Sequence, residues 1–148
     1  MPATSADPRT HRLVQAYTGL TRESLPALLS LYHAQASFKD PFNDVLGRPA
    51  IERIFSQMFE ELHEPRFVVQ TAATEGNEAF LGWEMHFRRQ ARGAPMTIRG
   101  ASHLRYSSAG LVFVHRDYWD AAEELYAKLP VLGLLMRALQ RRLSTPQP

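Results

Sequence analysis

The stretch ASHLRYSSAGLVFVHRDYWDAAEELY, residues 101–126, carries His103, His115, Asp117 and Asp120 in a pattern that otherwise alternates like a pair of strands. Imidazole and carboxylate are the side chains that exchange protons near neutral pH. Placed on one sheet face, they are the makings of general acid–base catalysis. Asp120 has a structural explanation, because it directly precedes a helical pattern with Glu123 three positions on and reads as an N-cap. Asp117 has none. In LVFVHRDYW a period of two puts Leu111, Phe113, His115, Asp117 and Trp119 on one face and Val112, Val114, Arg116 and Tyr118 on the other. A carboxylate among aromatic rings is hard to charge, which suits a proton donor or acceptor. The alternative is an ion pair with an arginine across the sheet, or a side chain in solvent.

His103 depends on register. A three-residue loop with Gly110 as left-handed bulge residue pairs Ser107 with Leu111 and His103 with His115, bringing His103 diagonally beside Asp117. A four-residue loop pairing Tyr106 with Leu111 puts Ser102 there and turns His103 outward. Asp40, in FKDPF, is a second candidate carboxylate or an Asx turn before proline. Tyr17, in VQAY, is a candidate donor or a core residue with a satisfied hydroxyl. His86, His103, His115 and Asp117 have no diagnostic ligand spacing, so no metal is expected. His11, His33 and His63 lie in or beside helical patterns and read as surface residues.

The elements that must position these groups come in a definite order. Residues 1–8 read as a disordered lead-in. RLVQAYTGL and RESLPALLSLY read as helices, the second with Leu25, Leu28, Leu29 and Tyr32 on one face. SFKDPFND is a short extended piece and a turn. RPAIERIFSQMFEELH is the clearest helix, with Ile51, Ile54, Phe55, Met58, Phe59 and Leu62 in one stripe and Pro49 in its first turn. From residue 66 the period changes to two. RFVVQTAA, AFLGWEMHFRRQ, MTIRGASHLRY and LVFVHRDYW read as four strands, with turns at Gly76-Asn77, Arg92-Gly93 and Ala109-Gly110. Short connections make them antiparallel. Helices first, then a meander, then a helix define an α+β domain over residues 9–128. A strongly curved, mostly antiparallel sheet around the N-terminal helices forms a cone with an open mouth. Residues 129–148 form a C-terminal amphipathic helix and tail.

Composition fits this. The chain has 148 residues, enough for one domain with a real core, and a formal net charge of +2. Its arginines are scattered until the C-terminus, so no nucleic-acid partner is expected. With no cysteine, disulfides, thiolate zinc sites and a cysteine nucleophile are excluded. The N-terminus has no apolar secretory core and VLGLLM is too short to span a bilayer, so a cytoplasmic location is the default expectation.

FKDPF ahead of the long helix, the element order, and HLRYSSAGLVFVHRDYW together resemble the nuclear-transport-factor-2-like superfamily, in particular its SnoaL-like polyketide cyclase branch, over roughly residues 9–128. The resemblance implies that His103 and Asp117, fourteen residues apart on adjacent strands, form the acid/base pair of an intramolecular aldol closure. It implies as well a homodimer formed through the outer face of the sheet, where Val112, Val114 and Tyr118 would leave an apolar patch. In ketosteroid isomerases, which the handling of carboxyl pairs makes familiar, Asp40 matches the base and Tyr17 the oxyanion donor. The protonated aspartate of those enzymes falls on Ser102. In limonene epoxide hydrolases one aspartate matches Asp117, but Trp83 and Met85 stand where the arginine and second aspartate belong.

Two functional readings follow. In the first, an apolar pocket of Phe38, Phe55, Phe59, Trp83, Phe87, Phe113 and Trp119, with Ser102 and His115, holds a small carbonyl compound. Asp117 and His103 do proton chemistry on it without a cofactor, with Tyr17 or Asp40 on the opposite wall. In the second, the same cone is a non-catalytic module for a hydrophobic ligand or a protein partner. The basic amphipathic tail LPVLGLLMRALQRRL could lie on an anionic membrane, cap the pocket mouth, or pack in a dimer.

Overall fold

In the computed structural model, the described residues are 3–124 and 130–143. The remaining tail beyond residue 143 and the first two residues, on which parts of the terminal expectations fall, lie outside them. Two helices, α1 (Pro8–Thr18) and α2 (Leu25–Leu29), lead into strands β1 (Tyr32–Lys39) and β2 (Asp44–Leu46) and the long helix α3 (Arg48–Glu61). Strands β3 (His63–Glu75), β4 (Glu78–Arg88), β5 (Met96–Tyr106) and β6 (Val112–Tyr118) follow, then α4 (Ala121–Glu124) and α5 (Pro130–Leu143). One six-stranded sheet runs in the order β2-β1-β6-β5-β4-β3. Its pairs are antiparallel except β1 with β6, which is parallel. This is the α+β cone class expected from the element order.

Local chemistry accounts for these boundaries. The Asp7 carboxylate caps α1 by accepting from the Arg9 N–H at 2.9 Å, and Pro8 supplies the preset φ of a first turn. Residues 3–7 are therefore part of the fold, in contrast to the disordered lead-in expected to residue 8. Ala3 N–H donates to the Val69 carbonyl at 2.9 Å. The Arg9 guanidinium reaches Asn77 Oδ1 at 2.9 Å and the Gly76 carbonyl at 2.7 Å, tying the helix start to the β3–β4 turn. Asp120 does cap α4, accepting from the Glu123 N–H at 3.1 Å. Helix α3 begins after Gly47, whose φ of +94° suits glycine, and buries Ile51 and Phe55 against the inner side of the sheet. Leu13, Val14, Tyr17, Leu28, Tyr32, Leu81, Leu104 and Val112 complete the core.

Register decides the site. The β5–β6 loop has three residues with Gly110 at φ +78°, and Ser107 N–H donates to the Leu111 carbonyl at 2.7 Å. Tyr106 then pairs with Val112, as the first of the two registers requires. One step on, the phase shifts, because Arg105 pairs with Val114 and Phe113 is an extra, bulged residue. Every later pair slips by one, so His103 faces Arg116 and Ser102 faces Asp117. The loop is that of the first register, while the facing beyond the bulge is that of the second, with Ser102 inward and His103 outward, in pairs that belong to neither. Val112 is fully buried rather than outward, and Phe113 is 45% exposed, edge-on to His33 rather than in a pocket.

Candidate functional site

Beyond the bulge, β6 turns His115 and Asp117 inward, with His115 only 2% exposed. Cross-strand pairing sets Ser102 directly beside Asp117, and Trp83 reaches over from β4. The hydrogen bonds converge on one carboxylate oxygen. Ser102 Oγ–H donates to Asp117 Oδ1 at 2.5 Å, and the Trp83 indole N–H donates to Ser102 Oγ at 2.8 Å. From the other side His115 Nε2 lies 2.6 Å from the same oxygen. The other ring nitrogen, Nδ1, lies 2.7 Å from the Tyr32 hydroxyl, so the imidazole bridges the carboxylate and the phenol. Tyr17 completes the chain through a short bond to Tyr32. Burial pushes both phenols well above their usual range, with the nearby Asp117 charge adding to the effect, so both stay neutral hydroxyls.

Asp117 Oδ2 is different. Among the described residues no fully buried side-chain polar atom lacks a partner, and none donates to this oxygen. Oδ2 is therefore reached from the space that Asp117 lines, which has two parts. An inner chamber of about 20 Å³, large enough for one water-sized group, is bounded by Tyr17, Phe55, Phe67, Trp83, Ser102 and His115 besides Asp117. An open cleft of about 840 Å³ leads outward past Phe38, Phe87, Trp119 and Met58. Asp117, Phe55, Phe67 and Trp83 border both. The cleft is an open mouth rather than an enclosed pocket.

The structure distributes the expected site residues unevenly. Asp117, Tyr17, Ser102, His115, Phe38, Phe55, Trp83, Phe87 and Trp119 all border this space. Phe59 is half-buried against the core instead, and does not border it among the described residues. His103 is not brought to Asp117. The bulge at Phe113 turns it to the outer face, where Nε2 meets Glu78 Oε1 at 2.9 Å and the ring stacks on Phe80 at 4.5 Å. Asp40 sits on the rim of the cleft with its carboxylate folded into an Asx turn. Oδ1 accepts from the backbone N–H groups of Phe42, at 2.8 Å, and Asn43, at 2.7 Å. His86 also faces outward, toward Glu84 at 3.0 Å and Thr97 at 3.0 Å.

The residue that sequence reasoning missed is Tyr32. Its place one helical step beyond Leu28 and Leu29 made it look like the end of a helix face, whereas α2 stops at Leu29 and β1 begins at Tyr32. The signal available was the spacing to Phe38, since both side chains prove to be inward on one strand. Arg48 fixes the tyrosine's backbone by donating Nε–H to its carbonyl at 2.7 Å.

Fold and site define a class: a six-stranded α+β cone with the Asp117 carboxylate bordering an aromatic cleft. The SnoaL-like domain model matches residues 13–115, well over half of the chain, and the protein belongs to that family. Solved structures agree on the fold. A hypothetical protein with a ketosteroid-isomerase-like fold from Catenulispora acidiphila, in complex with trimethylamine, is 16% identical with a TM-score of 0.70, covering 85% of this chain and 96% of its own. A nuclear-transport-factor-2-like protein of unknown function from Burkholderia pseudomallei is 15% identical with a TM-score of 0.69, covering 79% and 95%. A chain designated a SnoaL-like polyketide cyclase from Shewanella putrefaciens is 16% identical with a TM-score of 0.64, covering 84% and 97%. No curated protein matches.

Proposed function

We propose that this protein takes a small, mostly apolar carbonyl compound into the cleft and that Asp117 exchanges a proton with it, in a reaction of the isomerase or cyclase type. The observation that carries this reading is the division of labour within Asp117. Oδ1 is held by Ser102 and His115 while Oδ2 opens on the aromatic cleft, so the carboxylate is fixed in direction yet keeps an unused acceptor. His115 and Ser102 take the supporting place first assigned to His103. Tyr32 and Tyr17 orient the imidazole from behind. Asp40 is less suited to the same step, because both its oxygens are engaged, Oδ1 by two backbone donors and Oδ2 by the Asn43 side-chain amide at 3.1 Å.

The test uses 2-tetralone, a small apolar ketone with enolisable protons. NMR follows exchange of its α-protons in D2O with wild type, Asp117→Asn and an equal concentration of free acetate. Wild type is expected to exceed acetate, and the variant to lose about a hundredfold or more, the usual contribution of a positioned base. A variant that exchanges protons as fast as wild type removes Asp117 from the role.

A second reading rests on a separate feature. A carboxylate oxygen ringed by Phe38, Phe55, Phe67 and Trp83 complements a protonated amine, through charge and through the ring faces. The trimethylamine complex of the Catenulispora protein supports looking there. Tryptophan quenching by benzyldimethylamine that depends on Asp117, with no ketone exchange by wild type, would favour a binding module over an enzyme.

We also infer that a second copy packs on the outer face of the sheet. Phe80 and Tyr118 are each about half exposed there, and Arg116 lies over the Tyr118 ring at 4.7 Å.

A further inference from the structure

Helix α5 carries four exposed leucines among its described side chains. Leu135, Leu139 and Leu143 recur at four-residue intervals, which aligns them in one row, and their exposures are 61%, 49% and 80%. Leu134, at 64%, adds to the same uncovered surface. A helix capping the pocket mouth by its leucine row would not leave four leucines in this state. The charge is equally one-sided. After Glu124 the sequence holds no acidic residue, while Lys128, Arg137, Arg141 and Arg142 are all basic.

We propose that α5 is an in-plane membrane-binding helix whose leucine row enters the headgroup boundary of an anionic bilayer while Arg141 and Arg142 meet its phosphates. At 14 residues it is far too short to cross, and no helix among the described residues is long and apolar enough to do so. Exposed leucines supply the apolar area that such helices bury, and the arginines supply the attraction to anionic lipid. Neither feature is used by the Asp117 site, so the two assignments stand or fall separately.

The experiment is co-sedimentation of the full chain with vesicles of 30% phosphatidylglycerol in phosphatidylcholine, against pure phosphatidylcholine, at 50 and 500 mM salt. Binding is expected on the anionic vesicles at low salt, and at least tenfold weaker on neutral vesicles or at high salt. Arg141→Gln with Arg142→Gln should weaken it roughly thirtyfold, from the usual attraction of two basic residues near such a surface. Leu135→Gln with Leu139→Gln should abolish it without lowering the melting temperature, because those side chains are 61% and 49% exposed. Equal binding to both vesicle types, or undiminished binding by the leucine variant, overturns the proposal. So does a fall in melting temperature or oligomer size in that variant, which would show the row packed against the domain or a second copy.

Discussion

Gly100→Ala is the most informative single change at the site, although Gly100 forms no hydrogen bond with Asp117. Gly100 pairs with Trp83 across β4 and β5, and the indole lies flat over it. A β-carbon at residue 100 would stand 2.5 Å from Cη2, 2.6 Å from Cζ2 and 3.1 Å from Cζ3 of that ring. Ordinary carbon contacts begin near 3.5 Å, so the indole must retreat by about 1 Å. Its N–H now reaches Ser102 Oγ at 2.8 Å, and a displacement of that size breaks the bond. Overpacking of this kind costs about 1–3 kcal/mol, and a buried indole N–H without a partner about 1–3 kcal/mol more. The sum is roughly 2–6 kcal/mol, or a melting temperature lowered by about 5–20 °C for a chain of this size. Gly82→Ala is the control. Its β-carbon would meet Thr71 Cβ at 3.6 Å, an ordinary contact, so it should melt within about 2 °C of wild type. Circular dichroism melts of the three proteins, with tryptophan emission recorded alongside, make the measurement. If Gly100→Ala melts like Gly82→Ala with unchanged emission, the indole is not held as described, and the support of Asp117 through Ser102 fails with it.

The other predictions separate the inner network from its surroundings. Tyr32→Phe keeps the ring but leaves His115 Nδ1 without its hydroxyl. It should cost about 1–2 kcal/mol in urea unfolding and slow ketone exchange, whereas His103→Ala should leave exchange unchanged; the reverse pattern would restore His103 to the site. The Arg9 side-chain hydrogen bond holds Asp7 down to about 2 from its usual 3.8, so its stabilising contribution is complete above about pH 4 and disappears as pH falls through 2. The melting difference between wild type and Asp7→Asn should therefore be present at pH 6 and shrink toward zero near pH 2, and a constant gap would contradict it. Phe80→Asp should convert a dimer to a monomer by light scattering, with its melting behaviour showing that the fold survives; an unchanged mass would place any dimer elsewhere.

Much of the architecture was legible because it rests on local signals. The stripe on α3, the change of period after residue 65 and the glycine turns all depend on residues close together in the chain. The parallel pairing of β1 with β6 was not legible, since nothing in YHAQASFK names its partner across some eighty residues. Missing it hid Tyr32, whose role exists only because β1 lies beside His115. Asp40 was read correctly in its structural aspect, as proline after it and Asn43 beyond it are enough to make an Asx turn.

The fate of His103 shows where a spacing match and a geometry part company. Fourteen residues separate it from Asp117, as in the cyclase pair, and the loop between them has the expected glycine geometry. In a sheet, however, the face of a side chain is set by parity, and a single bulge reverses parity without altering any count. Phe113 carries no glycine or proline to announce such a bulge. Its side chain is large and apolar, the type a strand would ordinarily turn inward. Had the ladder run on without it, His103 would stand across from His115, and Val112, now fully buried, would mark the outer face. With the bulge, the ladder instead delivers a serine to the carboxylate and an intrastrand histidine two residues away. Intrastrand neighbours at i and i+2 share a face whatever the register does. His115 and Asp117 thus share a face in either register of the hairpin, and their juxtaposition survives a slip that displaces His103.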